Sequence, residues 1–208
     1  MRLLIVDDHA TVRDGLEHLL SSEFPQAAFR SAASAEEALE ILASEPIDII
    51  VLDLNLSGRS GLELVQLFKD SRPSVRILIH TMHGEEQFGL RALRSGADGY
   101  LTKDMPVTHL FGAIRRLAEG KRYISPSLAE QLANAVARPG NRPLTDLLSD
   151  REYQVLRMLS AGKTPSGIAA ELNLSIKTIS TYRSRILEKL GLESTADLIR
   201  FGIEHNLT

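Results

Sequence analysis

The 208-residue sequence contains no cysteine. Disulfides, thiolate metal centres and thiol catalysis are therefore excluded, and the absence fits a cytoplasmic protein. No run of about 18 consecutive apolar residues occurs, so no membrane span is expected. Residues 1–10, MRLLIVDDHA, place acids where a secretory signal needs its apolar stretch, so the expected location is the cytoplasm. An excess of positive charge is missing too. The formal net charge is −3, so the total charge does not mark the chain as a polyanion binder. No internal repeat or low-complexity tract is present. What remains is an ordinary globular mix, 43% hydrophobic and 25% charged, of a length that fits one or two domains.

The charge is unevenly spread. Residues 1–122 carry 14 Lys/Arg and 18 Asp/Glu, whereas residues 144–208 carry 8 of each. Within the latter, residues 176–190 hold Lys177, Arg183, Arg185 and Lys189 against the single acid Glu188. A local basic helix in a neutral region is more informative than the total.

Two textures alternate along residues 1–122. Short apolar runs at 3–6, 27–31, 47–52, 76–80 and 99–101 read as buried parallel strands. Helical patterns occupy 10–21, 35–44, 60–70, 85–95 and 107–119. Ser34 and Glu37 have the spacing of a capping box for the second of these. Five β-α units in order predict a doubly wound parallel sheet with helices on both faces. The alternation stops near Tyr123. Ser125-Pro126 opens a short helix to about residue 136, and Arg138-Pro139-Gly140-Asn141-Arg142-Pro143 reads as a linker. The expected division is a first domain over 1–122, a linker with a short helix over 123–143, and a second domain over 144–208. The second is all helical. Ser149 with Glu152, Thr164-Pro165, Ser175, and Ser194 with Asp197 mark four helix starts, and Gly191 ends the third helix. Two short helices joined by a few residues form a helix-turn-helix signature.

Asp7 and Asp8 follow the first strand, Asp53 ends the third, Thr81 ends the fourth and Lys103 follows the fifth. In a sheet ordered 2-1-3-4-5 all five residues fall at the carboxyl edge, beside the switch point where ligands bind. Three carboxylates there repel one another unless a cation balances them. Oxygen ligands without Cys or His select a hard ion, Mg²⁺ or Mn²⁺. With Lys103 and the Thr81 hydroxyl, such a site can hold a phosphoryl group on a carboxylate.

These residues resemble a bacterial two-component response regulator of the NarL/FixJ type. Ile5-Val6-Asp7-Asp8-His9, Val51-Leu52-Asp53-Leu54-Asn55-Leu56 with Gly61, and Gly96-Ala97-Asp98-Gly99-Tyr100-Leu101-Thr102-Lys103-Asp104 carry the likeness. The resemblance implies a flavodoxin-like receiver with Asp53 as phosphoacceptor. It implies Mg²⁺ ligation by Asp7, Asp8, Asp53 and the Asn55 carbonyl, and phosphoryl binding by Thr81 and Lys103. Thr81 then moves toward the site and Tyr100 rotates inward. Asn55 and His83, two residues past Asp53 and Thr81, are implied to overlook the acyl phosphate and to set its lifetime. The chain departs from the family at Ser57, where proline is usual, and at His80, where an apolar residue is usual.

In residues 175–190, Ile179, Ile186 and Leu190 form one apolar stripe bordered by Tyr182. Lys177, Ser180, Thr181 and Ser184 lie on the opposite face, flanked by Arg183 and Arg185. Short hydroxyls in a basic rim suit a helix in a DNA major groove. Leu148-Ser149-Asp150-Arg151-Glu152, Ile168-Ala169-Ala170-Glu171-Leu172 and the run from Ser175 to Ile186 resemble the LuxR-type DNA-binding domain. That resemblance implies base contacts from Ser180, Thr181 and Ser184, and phosphate contacts from Lys177, Thr178, Arg183 and Arg185. The departures here are Pro165-Ser166-Gly167 and Tyr182. The last helix offers Leu198, Ile199, Phe201 and Ile203 as an apolar set; in the family it also pairs two such domains.

The resemblance therefore implies a transcription regulator rather than an enzyme. A sensor histidine kinase phosphorylates it, and it binds DNA half-sites as a homodimer, with RNA polymerase as a further partner. Two rivals stand beside this reading. A phosphohydrolase with its nucleophile on the first strand needs a second Asp two residues on, and here Asp7 is followed by His9. The other is a phosphate-independent DNA-binding regulator whose receiver serves as a dimerisation scaffold.

Overall fold

Apolar runs that no polar residue interrupts are buried on both faces in a parallel sheet, and every strand but the one at 28–32 is mostly buried. In the computed structural model, which describes residues 1–56, 61–137, 144–205 and 207, β1 (Arg2–Val6) is solvent-free from Leu3 to Val6. β2 (Ala28–Ala32), β3 (Ile49–Leu52), β4 (Arg76–Thr81) and β5 (Gly99–Thr102) complete one parallel sheet of order β2-β1-β3-β4-β5. The order and the all-parallel sense match the sequence expectation. Helices α1 (Ala10–Glu23), α2 (Ala35–Ser44), α3 (Gly61–Ser71) and α4 (Glu85–Arg94) are the crossovers, and α5 (Val107–Ala118) follows the last strand. Leu16 and Leu20 of α1 and Leu110, Ile114 and Leu117 of α5 close one core layer over Leu3, Ile5, Ile49 and Val51.

Ser34 caps α2 by accepting the Glu37 N–H at 3.2 Å. Only half of the expected box forms, because the Glu37 carboxylate accepts from the Ala33 N–H instead. The chain divides into two compact units, Met1–Val136 and Ala137–Thr208. The first extends past residue 122, the expected end of the first domain, because residues 123–136 pack on it. Tyr123 bridges to Gly99 and its hydroxyl hydrogen-bonds His109 at 2.9 Å. Ser125 donates to Glu85 of α4, and its Oγ accepts the Leu128 N–H to start α6 (Pro126–Ala137). Leu128 is fully buried over Gly89, where an added Cβ would come within 2.9 Å of Leu128 Cδ1. The expected linker 138–143 and the departure at Ser57 both lie outside the described residues.

In the second unit a 3₁₀ turn (Leu144–Leu147) precedes α7 (Asp150–Ser160), α8 (Pro165–Glu171), α9 (Ile176–Leu190) and α10 (Thr195–Glu204). The expected caps form: Ser149 with Glu152 and Ser194 with Asp197 are complete capping boxes, and Thr164 and Ser175 cap α8 and α9. Gly191 takes the left-handed conformation that ends α9 (φ 66°). α10 lies close on α7 because Gly202 faces Ser160, where a Cβ would sit 1.8 Å from Oγ.

Candidate acidic site and nucleic-acid interface

Each ladder runs one residue beyond its strand, and this holds the acidic site in place. The Asp7 N–H donates to Ala32 O, the Asp53 N–H to Val6 O, and the Lys103 N–H to Thr81 O. Asp7, Asp53, Thr81 and Lys103 therefore stand together at the carboxyl edge of the sheet. Gly61 opens α3 directly against this edge, where a Cβ would meet Leu54 Cα at 2.5 Å.

Lys103 Nζ donates to Asp7 Oδ2 at 2.6 Å and to Asp53 Oδ2 at 2.7 Å. Both carboxylates are nearly solvent-free, at 2% and 5% exposure. Asp53 Oδ1 accepts the Asn55 N–H at 3.2 Å, and the Thr81 hydroxyl bonds the same carboxylate. Burial opposes ionisation of Asp53. The Lys103 charge and hydrogen bond, with Asn55 and Thr81, outweigh it and hold the carboxyl below its usual range. Burial likewise opposes the Lys103 ammonium, but Asp53 and Asp7 keep its pKa above the usual lysine value.

Asp8 is half-buried beside this pair. Asp7, Asp8 and His9 present ligand atoms within 4.8 Å of one another. His9 was given no role by sequence, and its Nδ1 lies 2.7 Å from Asp8 Oδ1 and 3.3 Å from Asp7 Oδ1. Its position two residues past Asp7 is the signal that could have found it. The donor set is hard, and two buried carboxylates share one ammonium with Asp8 adjacent. The residual negative charge fits the acidic, cation-binding pocket that receiver domains carry.

His83 Nε2 and Asn55 Oδ1 are hydrogen-bonded at 2.9 Å, joining the loops after β4 and β3. Tyr100 is fully buried in the inward position, with its hydroxyl donating to His83 O at 2.9 Å. His80 of β4 is buried at 9% exposure, close enough to Lys103, Asp53 and Asp7 to feel their charges.

In the second unit α9 buries Ile179 and Ile186 and leaves Lys177, Ser180, Thr181, Ser184 and Arg185 exposed; Leu190 is half-buried. Thr181 and Ser184 donate their hydroxyl protons to Lys177 O and Ser180 O, so their oxygens face outward as acceptors. Two of the expected phosphate contacts are tied to the scaffold. Thr178 hydroxyl pairs with the Ser175 cap at 2.8 Å, and Arg183 donates to Thr195 Oγ1 of α10 at 2.8 Å. Lys189 of the basic cluster pairs with the buried Glu152 carboxylate of α7 at 2.6 Å, so that charge braces the unit. Ile176, 55% exposed at the start of α9, offers an apolar contact the sequence reading passed over.

Two family models match: "Response regulator receiver domain" over residues 3–115 and "Bacterial regulatory proteins, luxR family" over residues 146–201. The response regulator GacA of Pseudomonas viridiflava is 36% identical over 209 residues, covering 100% of this chain and 97% of the relative. RcsB from Salmonella enterica serovar Typhimurium, solved on promoter rprA with phosphomimetic BeF3⁻, is 25% identical with a TM-score of 0.60, covering 97% of this chain and 98% of that one. A second RcsB structure, of two dimers on two parallel DNAs, is 26% identical at the same TM-score of 0.60, with 97% of each chain covered. No helix among the described residues is long and apolar enough to cross a membrane.

Proposed function

The chain belongs to the response regulators that join a receiver domain to a luxR-family DNA-binding domain, and on that premise we propose that Asp53 is its phosphoacceptor. The observation that carries this is the Lys103 ammonium held between the buried Asp7 and Asp53 carboxylates. Asp53 is kept ionised, so it is a nucleophile at neutral pH. Its carboxylate oxygen attacks the phosphorus of a phosphohistidine on a sensor kinase. An O–P bond forms as the N–P bond breaks, and the imidazole nitrogen keeps the electron pair. Lys103 Nζ turns from Asp53 to a phosphoryl oxygen, and the Thr81 hydroxyl donates to another. Asp7, Asp8, Asp53 and the Asn55 carbonyl would hold Mg²⁺ or Mn²⁺, which supplies charge neutralisation at those oxygens. The protein is thus an acceptor that assists its own modification rather than an enzyme with a separate substrate.

The second unit supports a DNA-binding output, with α9 in the major groove. Ser180, Thr181 and Ser184 face base edges; Lys177 and Arg185 face phosphates, with Thr178 and Arg183 at the margin. RcsB dimers bound to DNA support a homodimer on paired half-sites as the working form. RNA polymerase is the further partner of such a regulator, and the cytoplasm its place of work.

The test is intact mass after acetyl phosphate and Mg²⁺, beside Asp53→Asn. A gain of one phosphoryl group in the wild type alone is expected. No gain would overturn the phosphoacceptor and favour the phosphate-independent regulator. Sedimentation mass and operator affinity then follow phosphorylation, and no change in either would defeat the switching role.

A further inference from the structure

Ile176 is the first residue of α9, directly after the Ser175 cap, and it is 55% exposed. The helix does not need it there. Proline or an acid favours the first turn of a helix, and an exposed β-branched residue does not. The apolar pair that fixes a helix entry joins the residue before the cap to the fourth helical residue. Those positions are held by Leu174, half-buried, and Ile179, buried. Ile176 lies outside that pair and heads a row of its own. Ser180 and Ser184 follow it at successive i,i+4 steps, and all three are exposed. The row begins at the end of a recognition helix that meets base edges in the major groove.

The chemistry of the row selects its partner. The 5-methyl group of thymine is the apolar feature that marks a base in the major groove. Guanine is read by paired donors from an arginine or lysine, and this row carries neither. Thr181 and Ser184 send their hydroxyl protons to Lys177 O at 3.0 Å and Ser180 O at 3.1 Å. Their oxygens are left as acceptors, which meet the amino group of adenine or cytosine and are repelled by guanine N7 and O6. Arg183 is held by Thr195 and Lys189 by Glu152, so neither supplies the missing donors. A T·A pair presents a methyl and an amino group on one groove edge, the complement of an isoleucine beside hydroxyl acceptors. On the premise that α9 is the DNA-facing helix proposed above, we infer that Ile176 is a base-reading residue. It packs on the 5-methyl group of a thymine and selects T·A under the start of α9.

Each side of that contact can be removed alone. Deoxyuridine differs from thymidine in the base by the methyl group only, and burial of a group that size is worth about fourfold in affinity. Ile176→Ala removes the protein side. The two losses are not additive, because once either partner has gone, removing the other costs little. The phosphate contacts of Lys177 and Arg185 are untouched by both changes, so binding to unrelated sequence is unaffected.

The test uses the full-length protein with acetyl phosphate and Mg²⁺. Selection from a random duplex library yields the preferred site. Fluorescence anisotropy then gives affinities for that duplex with each thymine replaced in turn by deoxyuridine. At least one thymine is expected to lose about fourfold or more on replacement. In Ile176→Ala the same replacement is expected to cost nothing measurable, while an unrelated duplex of equal length is bound as by the wild type. Changing the sensitive T·A pair to C·G should weaken the wild type. 5-Methylcytosine in place of that cytosine should recover part of the loss in the wild type and none in Ile176→Ala. A wild type that tolerates deoxyuridine at every thymine overturns the inference, and so does a penalty of equal size in Ile176→Ala. An equal change on all sequences in Ile176→Ala overturns it as well, because Ile176 then serves the fold or a contact within the chain. Absence of any DNA binding is a separate failure: it removes α9 as the DNA interface, and the role of Ile176 with it.

Discussion

Removing the Lys103 ammonium should unbalance the acidic site in a way that pH reports. In Lys103→Met the Asp7 and Asp53 carboxylates stay buried and lose the cation that bridges them. Their facing oxygens lie within about 5 Å, and at an effective dielectric of about 20 two such charges repel by about 3 kcal/mol. Mutational experience with broken buried pairs gives a similar cost of about 3–5 kcal/mol. Repulsion of that size raises the Asp53 carboxyl of the variant above the ordinary aspartate range. A folded-state pKa raised above the unfolded one makes the deficit full at neutral pH, and the deficit fades as pH falls through the raised value. We expect Lys103→Met to lose about 3 kcal/mol at pH 7.5, and distinctly less at pH 5. Hydrogen exchange at the Leu4, Ile5, Ile50 and Val51 amides reports the first unit alone. A deficit under about 1 kcal/mol at pH 7.5, or one equal at both pH values, would refute the electrostatic account. The variant should also bind Mg²⁺ more tightly than the wild type, because the competing cation has gone, while failing to hold a phosphoryl group.

His83 and Asn55 are hydrogen-bonded to each other on the loops after β4 and β3; with Asp53 as the proposed acceptor, the double change to alanine should admit water and shorten the phosphorylated lifetime at least threefold, and an unchanged or longer half-life in a phosphate-release assay defeats the covering role. Gly202→Ala drives a Cβ into Ser160 and should cost about 1–3 kcal/mol by overpacking, with Ser160→Gly restoring most of the thermal midpoint. Lys177→Ala and Arg185→Ala should each weaken DNA binding on all sequences and lower the salt slope by about 1. Arg183→Ala, already engaged with Thr195, should change the slope less and the stability of the second unit more.

What the sequence made legible follows from how local each cause is. Strand and helix type came from periodicity and caps that act within a few residues, and the observed elements agree to within about two residues at most ends. The order of the sheet brings Asp7, Asp53, Thr81 and Lys103 to one edge, because parallel strands place their carboxyl ends together. Placement of a residue after a strand is a backbone property, and backbone properties were readable.

Side-chain choice between elements was not readable, and it decides the finer chemistry. Arg183 and Arg185 look alike on a helical wheel, yet only Arg183 comes within reach of Thr195 on α10. Lys189 belongs to the same basic cluster by composition, but Glu152 of α7 takes its charge for the scaffold. His80 departs from the family by a single residue, and the charges that reach it, of Lys103, Asp53 and Asp7, stand just past the ends of three other strands. The helix over 126–137 reads as linker because its sequence buries little of its own surface. It joins the first unit because Gly89, 39 positions earlier, leaves room for Leu128. In each case the deciding partner lies on another element, so the sequence supplies the residue and the fold supplies its role. The charge that α9 has left for a nucleic acid is accordingly smaller than its composition suggests. Of its four bases, Lys189 is paired with Glu152 and Arg183 with Thr195, and DNA affinity should track the exposed Lys177 and Arg185.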